Sequence, residues 1–241
     1  MNDMDRFNAW IPPIKIAGKS FLDIGCADGG AGLYVLSNHA SKYVGIDIDS
    51  QNIKVALKNI KTSYPNADAT LIVTSIEEFL KQPDLKFDVI FLGRVLWGLS
   101  SEVLYKLSKI SRYIVIESVS PLNHVMNDII STYATLEMLY ELEYNHPIAE
   151  IYPSDFKFIA NRIYDNRYLG IFYSIGYLKT IFNQLGFTAN LNSYEQLKKR
   201  YPDEYGYGMS NDKKNLKMFV VQFEFSGNAL PLTWAEWHNN V

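Results

Sequence analysis

The sequence predicts an α/β fold built around a mostly parallel sheet. Three observations support this prediction: strand and helix signals alternate between residues 20 and 116, a glycine-containing turn follows the first strand, and an aspartate ends the second strand. Alternating strands and helices are typical of βαβ units, whose strands run parallel. The turn and the aspartate then lie at the carboxyl edge of the sheet, where such proteins bind nucleosides.

Seven segments carry a strand signal, which is a short apolar run bounded by turn residues. The fourth segment is continuously apolar, as expected for a strand buried on both faces. The last segment alternates in part between polar and apolar residues and is therefore expected to be antiparallel. The predicted strands are Ser20–Ile24, Tyr43–Ile46, Ala69–Val73, Phe87–Leu92, Tyr113–Ile116, Phe187–Leu191 and Lys217–Phe225.

The helix signals lie between these strands and begin at residues that cap helices well. Ser50 is expected to cap the second helix, and Ser174 a late helix that Gly186 ends. Further helices are predicted from about Gly30 to His39, over Glu77–Lys81, and after Ser100 or Ser101. The second helix carries a stripe of apolar residues at helical spacing, namely Ile53, Ala56, Leu57 and Ile60.

The alternation breaks after the fifth strand. Leu122–Tyr144 has apolar residues at helical spacing and predicts one long helix, whereas residues 145–172 are rich in tyrosine and irregular. We interpret residues 122–172 as a helical insertion that forms a lid, within a single domain of residues 1–241. The tyrosines of this region either bury the helical cap or line an acceptor pocket; they are Tyr133, Tyr140, Tyr144, Tyr152, Tyr164, Tyr168 and Tyr173.

Composition excludes several classes of protein. The formal net charge is −3 over 241 residues, which provides no electrostatic footprint for DNA or RNA. The first ten residues do not resemble a secretory signal, and no apolar run reaches the roughly 18 residues of a membrane span. Cys26 is the only cysteine, so we expect no disulfide, no metal site and a cytoplasmic location.

The turn after the first strand carries the chemistry. The sequence FLDIGCADGG runs from Phe21 to Gly30, and YVGIDID runs from Tyr43 to Asp49. Glycines allow positive φ angles and let a ligand approach the backbone closely. A carboxylate at Asp47 can accept two hydrogen bonds from a ribose diol. Together the two segments predict a nucleoside site.

The acidic residues of this turn indicate which nucleoside fits. A dinucleotide site has glycines in the pattern G-x-G-x-x-G, but Ala27 takes the middle position between Gly25 and Gly30. Asp23 would face two phosphates, and like charges repel. S-adenosylmethionine carries an ammonium and a sulfonium and no phosphate, so the same acid suits it.

These segments resemble motif I and the acidic loop of class I S-adenosylmethionine-dependent methyltransferases. The resemblance extends to TSIEEF at Thr74–Phe79 and to FDVIFLGRVLWGL at Phe87–Leu99, and it covers roughly residues 20–120. It implies a Rossmann-like, doubly wound, mostly parallel sheet of seven strands with an antiparallel last strand. The implied cofactor is S-adenosylmethionine.

The resemblance also implies roles for individual residues. Asp23, Gly25, Cys26 and Ala27 would hold the methionine end of the cofactor. Asp47 would bind the ribose, with Ile48 beside the adenine. Ser75 and Ile76 would line the adenine edge, and Gly93 with Arg94 would close the methionine side.

The sequence departs from the family pattern in three places. Ala27 replaces the usual second glycine, and Gly98 stands where many members have a histidine. The stretch before the first strand is short, whereas many relatives have helices there that cover the cofactor. We therefore expect the cover to come from another part of the chain, from an oligomer or from a partner.

Catalysis is harder to predict than cofactor binding. Methyl transfer from a sulfonium is an in-line displacement that depends mostly on placing the acceptor atom, and a base is needed only when the acceptor must lose a proton. The catalytic residues are therefore unknown at this stage. Glu117, His124 and His146 are candidate bases, while Arg94 is either a binder of carboxylate groups or half of a structural ion pair.

Four functions are compatible with these patterns. The first is O- or N-methylation of a small or medium-sized acceptor, which is a small molecule, a peptide or a carbohydrate, with no role for a nucleic acid or a membrane. The second is a non-catalytic cofactor-binding module of a larger assembly. The third is a nicotinamide-dependent oxidoreductase, and the fourth is an RNA methyltransferase.

Overall fold

The computed structural model describes residues 3–96, 99–119, 149–152, 170–202 and 218–227, and every structural statement below concerns these residues. The predicted helix Leu122–Tyr144 lies outside them, as do His124 and His146. Within these ranges, no helix combines the length and the apolar character that crossing a membrane would need.

The described residues form a seven-stranded sheet in the order β3-β2-β1-β4-β5-β9-β8. The first five strands run parallel, and β9 pairs antiparallel with both β5 and β8. The predicted fold class, including the antiparallel last strand, is confirmed. The strands of this sheet are β1 (Ser20–Ile24), β2 (Lys42–Asp47), β3 (Ala69–Val73), β4 (Phe87–Gly93), β5 (Ser111–Val119), β8 (Phe187–Asn190) and β9 (Met218–Phe225).

Helices connect the parallel strands and cover both faces of the sheet, because right-handed crossovers change face where the strand order reverses at β1. A 3-10 turn at Pro13–Lys15 precedes β1. The helices are α1 (Asp3–Trp10), α2 (Gly30–Ser37), α3 (Ser50–Ser63), α4 (Ile76–Phe79), α5 (Ser101–Ile110), α6 (Ile175–Gln184) and α7 (Asn192–Arg200).

Two of the predicted N-caps are confirmed, and the predicted cap of α3 is wrong. Ser100 and Ser174 accept hydrogen bonds from backbone amides as N-caps, as predicted. Gly186 adopts a φ of 85° after α6, which suits a residue that ends a helix. Ser50 is not the cap of α3, because the side chain of the preceding Asp49 accepts the hydrogen bond from the Gln51 amide. A carboxylate at this position is also stabilised by the positive end of the helix dipole.

The buried face of α3 is narrower than predicted. Ile53, Ala56 and Ile60 are buried, but Leu57 is 38% exposed. The prediction that Leu57 belongs to the buried stripe is therefore wrong. The helix approaches the turn before α2 so closely that a Cβ on Gly29 would lie 3.1 Å from the Ala56 Cβ. This contact directs Ala56 inward and leaves Leu57 at the margin.

Residues 149–152 and 170–173 form a second, small sheet. The strands β6 (Ala149–Tyr152) and β7 (Gly170–Tyr173) pair antiparallel. The sequence predicted irregular chain over residues 145–172, so strand structure at these two places corrects that expectation. Both segments contain isoleucine and aromatic residues, which favour strands where a partner strand is available.

The short N-terminal stretch is helical and part of the core. Phe7, Trp10 and Ile11 are buried. The Trp10 ring stacks on Phe91 of β4 with ring centroids 5.3 Å apart, and Phe7 packs edge-on against Trp10 at 5.0 Å. These residues cover β4. On the sequence alone, the short N-terminal stretch is expected to provide no such cover.

Helix α7 extends the cover toward β9 and was not predicted. Its sequence is polar, and Tyr194 and Leu197 are its buried residues. The Gln222 amide of β9 donates hydrogen bonds to the Trp10 carbonyl at 2.6 Å and to the Ser193 hydroxyl at 2.9 Å. One buried side chain therefore joins α1, α7 and the antiparallel end of the sheet.

We predict that the N-terminal segment contributes strongly to stability. Trp10→Ala removes a fully packed ring and should lower the free energy of unfolding by about 3–5 kcal/mol. Ile14→Ala is the matched control in the same segment, because Ile14 is 85% exposed; its effect should stay within about 0.5 kcal/mol. Urea denaturation followed by circular dichroism measures both. Equal, small effects would show that α1 is not part of the cooperative core.

Candidate functional site

The turn between β1 and α2 has a left-handed backbone at three positions. Gly25 has a φ of 71°, Ala27 of 47° and Gly29 of 83°. The Gly25 and Cys26 amides donate to the Ile46 carbonyl of β2 at 2.8 and 3.0 Å. The turn therefore curls over the carboxyl end of β2. Ala27 adopts a conformation that strains an L-residue, which explains why a glycine is usual at this position in the family that the sequence resembles.

Gly25 has a second constraint besides its φ angle. A Cβ placed on Gly25 would lie 2.2 Å from the Val95 Cγ1, which is far inside van der Waals contact. Val95 follows β4, so the ends of β1 and β4 meet at this glycine. A side chain here would force Val95, and with it the chain after β4, away from the turn.

Asp47 connects the turn to β2 and α3. Its carboxylate is nearly buried and accepts hydrogen bonds from the Ala27 amide at 3.0 Å, the Asp49 amide at 2.8 Å and the Asn52 side chain at 3.1 Å. A carboxylate has about four lone-pair positions. Asp47 therefore holds the turn in place and keeps an acceptor position for a ligand.

Asp23 lies on β1 directly before the turn and is 3% exposed. Burial, with smaller contributions from the neighbouring Asp47 and Asp28, raises the pKa of its carboxyl to about 7. The Tyr43 hydroxyl donates a hydrogen bond to the Asp23 Oδ2 at 2.7 Å, which opposes the upward shift of the pKa. Sequence reasoning did not identify Tyr43, because nothing in its spacing distinguishes it from a core residue.

Cys26 is buried, and burial raises the pKa of its thiol well above the ordinary value. Nearby Asp23 and Asp47 raise this pKa further. The thiol therefore stays protonated and neutral, so Cys26 is a small residue of the turn rather than a nucleophile.

The ends of β4 and β5 carry a second polar group of the site. Gly93 and Glu117 are register partners on these strands. The Arg94 amide donates to the Glu117 carbonyl at 2.8 Å, and the Arg94 Nε lies 3.0 Å from the Glu117 Oε2. Glu117 is fully buried, whereas the Arg94 side chain is 48% exposed. Of the two roles considered for Arg94, the structure contains the ion pair.

Arg94 also has an unusual backbone. Its φ is 62°, a left-handed value that non-glycine residues adopt rarely. Two hydrogen bonds to one residue, Glu117, hold it there. Strained residues of this kind concentrate at sites of function.

The predicted adenine-edge residues lie at the carboxyl ends of β2 and β3. Ile48 is 55% exposed, and Val73, which is the register partner of Asp47, is 51% exposed. Exposed apolar side chains at this edge offer a surface for a flat apolar ring. Ser75 caps α4 by accepting from the Glu78 amide, and Ile76 is buried.

The structure thus brings five predicted residues into one cluster around the turn: Asp23, Gly25, Cys26, Ala27 and Asp47. Gly93, Arg94 and Glu117 lie together on the neighbouring strands. Among the tyrosines assigned to a pocket or a helical cap, Tyr173 is buried and its hydroxyl donates to the Leu99 carbonyl at 2.8 Å. Tyr173 is therefore part of the core.

The chemistry of these groups fits a cationic nucleoside. Asp23, Asp28 and Asp47 give the turn a negative potential that would repel a pyrophosphate. At Gly25 the Val95 side chain packs directly on the backbone of the turn, which brings the end of β4 next to the acidic residues. A ribose, an apolar base and a positively charged tail match the acceptor at Asp47, the exposed Ile48 and the acidic turn.

Comparison with known proteins agrees with this geometry. A family model described as a methyltransferase domain matches residues 15–162. The ribosomal protein L11 methyltransferase of Pseudoalteromonas atlantica is 35% identical over 91 residues, which are 37% of this chain and 28% of that protein. The enzyme of the same name from Aeromonas salmonicida is 34% identical over 84 residues, 34% of this chain and 26% of that protein. The chain therefore matches about a quarter of the length of these relatives.

Solved structures share the fold over most of the chain. An S-adenosylmethionine-dependent methyltransferase from Mesorhizobium loti superposes with a TM-score of 0.57 at 13% identity, covering 91% of this chain and 96% of that one. Magnesium protoporphyrin IX methyltransferase from Synechocystis, solved with bound S-adenosylhomocysteine, gives a TM-score of 0.55 at 15% identity and covers 92% and 82% of the two chains.

We predict that Gly25 tolerates no side chain, for a reason beyond its φ angle. Gly18 has the same φ of 71°, but a Cβ there would meet nothing within 4 Å, so Gly18→Ala isolates the backbone cost. That cost is about 1–2 kcal/mol for both variants. Gly25→Ala should destabilise the protein by roughly a further 1–3 kcal/mol, because Val95 must move. Thermal and urea unfolding compare the two; matching losses would mean that Val95 moves freely.

Proposed function

Because the chain belongs to the methyltransferase-domain family, we propose that it transfers a methyl group from S-adenosylmethionine to an oxygen or nitrogen of a small or medium-sized acceptor. The observation that carries this proposal is the acidic turn after β1, joined through Asp47 to the end of β2. The proposal treats the chain as one domain, with residues 122–172 as the lid over the acceptor, and it includes a cytoplasmic location.

The cofactor residues of the proposal follow the geometry of the turn. Asp23 with the backbone of Gly25, Cys26 and Ala27 holds the positively charged methionine end. The Asp47 carboxylate would accept hydrogen bonds from the ribose hydroxyls. Its Oδ2 now accepts from the Ala27 and Asn52 amides, and a ribose hydroxyl would take the place of Asn52. Carboxylates at both ends of the nucleoside select a cation over a phosphate-bearing ligand.

The adenine side and the methionine side complete the proposed set. Ile48 covers one face of the adenine, and Ser75 and Ile76 border its edge at the start of α4. Gly93 and Arg94 close the methionine side at the end of β4. The bound cofactor supplies an activated methyl on a sulfonium, and the chain supplies its placement.

The acceptor is proposed to lie over the ends of β4 and β5. In-line transfer needs the acceptor atom held close to the methyl and opposite the sulfur, and placement alone accounts for much of the rate. Arg94 presents a half-exposed guanidinium there, held by the buried Glu117. In this arrangement Glu117 orients Arg94 rather than removing a proton, because its buried Oε2 lies 3.0 Å from the Arg94 Nε. His124 and His146 remain the candidate bases for acceptors that must lose a proton.

A protein or peptide acceptor is the second candidate. The relatives with detectable sequence identity are named ribosomal protein L11 methyltransferases. The matched stretch is about a quarter of their length, so it does not by itself establish a common acceptor. The formal charge of −3 disfavours RNA as the acceptor, because nucleic-acid binding depends on cationic surface.

We predict that Asp47 is required for cofactor binding. The wild-type chain should bind S-adenosylhomocysteine in isothermal titration calorimetry, and Asp47→Ala should lower the affinity at least a hundredfold, since it loses charge-assisted hydrogen bonds worth about 1.5–3 kcal/mol each. Asp88→Ala is the matched control, because it removes the same charge at the opposite edge of the sheet, where Asp88 accepts from Ser20.

The activity itself is tested with S-adenosylmethionine carrying a labelled methyl. Candidate acceptors are a small-molecule panel, a peptide pool and ribosomal proteins, and Asp47→Ala is the negative control. Label in one acceptor class supports the proposal and identifies the class. Cofactor binding with no transfer to any class would favour the non-catalytic module, and binding of NAD in place of S-adenosylhomocysteine would contradict the proposal.

A further inference from the structure

We propose that Tyr43 is a positioning residue of the cofactor site, whose hydroxyl holds the Asp23 carboxyl in the orientation and charge state that bind the cationic end of S-adenosylmethionine. This inference rests on the proposed function and adds to it a residue that does not touch the cofactor. It begins from a buried pair of polar side chains, Tyr43 and Asp23, which are joined by a hydrogen bond.

The pair is short and enclosed. The Tyr43 hydroxyl lies 2.7 Å from the Asp23 Oδ2, and the two residues are 1% and 3% exposed. Phe21 and Gly45 are the respective register partners of Tyr43 and Asp23 on the adjacent strands β1 and β2. Asp23 lies two residues beyond Phe21 on β1. The Tyr43 ring therefore extends along the sheet, and its hydroxyl reaches Asp23 directly before the turn.

Two glycines leave the space that this ring needs. A Cβ on Gly32 of α2 would lie 2.6 Å from the Tyr43 Cζ. A Cβ on Gly45 would lie 2.9 Å from the Tyr43 hydroxyl and 3.0 Å from the Cys26 sulfur. Both the helix above the ring and the strand beside it lack a side chain where the hydroxyl reaches Asp23. The gap at Gly32 accommodates the ring, and the gap at Gly45 accommodates the hydroxyl itself.

The surroundings of Asp23 make the hydroxyl important. In the described part of the chain, the titratable groups that act on Asp23 are Tyr43 and Asp47 from β2 and Cys26 and Asp28 from the turn. Burial and the two aspartates favour the neutral acid, and the Cys26 thiol is itself neutral. Tyr43 is the group in this set that favours the carboxylate.

Tyr43 can fill this role throughout the physiological range. Burial and the negative charge of Asp23 raise the pKa of the Tyr43 hydroxyl well above its ordinary value, so it stays protonated and donates. The pKa of Asp23, at about 7, lies within that range. Removal of the hydroxyl raises the Asp23 pKa, so a larger fraction of the acid is neutral at pH 7.

The experiment compares a cationic ligand with a neutral one. S-adenosylmethionine carries the ammonium and the sulfonium, whereas methylthioadenosine has the same nucleoside without either charge. Affinities of both are measured by calorimetry from pH 6 to 9 for wild type, Tyr43→Phe and Tyr34→Phe. Tyr34 is the matched control, because its buried hydroxyl donates to the Ile11 carbonyl at 2.9 Å and not to Asp23.

For Tyr43→Phe we expect a selective loss. A hydrogen bond to a charged group is worth about 1.5–3 kcal/mol, so the pH at which affinity for S-adenosylmethionine rises should move up by about one to two units. At pH 7 this is a loss of roughly five- to fiftyfold, recovered at high pH. Titration of the ligand itself is common to all the proteins and cancels. Methylthioadenosine binding and the Tyr34→Phe profile should not change.

Two further variants test whether Tyr43 acts through Asp23. Asp23→Asn should bind S-adenosylmethionine weakly and retain only the pH dependence of the ligand's own titration, and adding Tyr43→Phe to it should cost less than twofold more. If Tyr43→Phe does not fold, 3-fluorotyrosine at position 43 keeps the ring and strengthens the donor, so the midpoint of the affinity profile should move to lower pH.

The results separate this inference from the proposed function. An unchanged pH profile in Tyr43→Phe or with 3-fluorotyrosine, or equal losses for both ligands, overturns the role of Tyr43 while leaving the cofactor assignment standing. Failure of the wild-type chain to bind S-adenosylmethionine or its demethylated product overturns the proposed function first.

Discussion

The site depends on the hydrogen bonds that the Asp47 carboxylate accepts. They join the turn after β1, the end of β2 and the first turn of α3. With Ala27 and Gly25 in left-handed conformations, the turn lacks the regular backbone pairing of a helix or strand. A buried acceptor that collects amides therefore fixes its shape. In the proposed function the same carboxylate accepts the ribose hydroxyls of the cofactor, so the shape of the turn and the binding of the ribose would depend on one group.

The cofactor half of the fold was predictable because its constraints are local in sequence. A strand, a glycine turn and an aspartate at the end of the next strand are close in the chain. Few other residue types could take their places in a site that binds a nucleoside. The five strands of the parallel region were placed within a few residues, and Ser100 and Ser174 were identified as caps. The error at Ser50 arose because Asp49 and Ser50 are both good caps, and the choice depends on how Asp47 engages the Asp49 amide.

Features that depend on distant contacts were missed. Helix α1 is short and polar in pattern, and it is stable because Trp10 stacks on Phe91, eighty-one positions later. Helix α7 buries few residues, and its Ser193 hydroxyl accepts a hydrogen bond from Gln222, which lies on β9. Tyr43 looks like any buried strand residue until Gly32 and Gly45 are seen to surround its ring. The spacing of apolar residues indicates which face of one helix or strand is buried. It does not indicate which residues of another element pack against that face.

The same distinction explains why the cofactor is easier to infer than the acceptor. Every S-adenosylmethionine site must satisfy one fixed molecule, so its requirements recur as a short set of residue types. In the proposed function the acceptor lies over the ends of β4 and β5, where Arg94 and Glu117 form an ion pair. Because the methyl donor is already activated, selection acts on acceptor placement more than on a fixed catalytic group. If the acceptor lies there as proposed, its choice depends on the shape of the surface around Arg94, and residue patterns along the chain carry little information about such a shape.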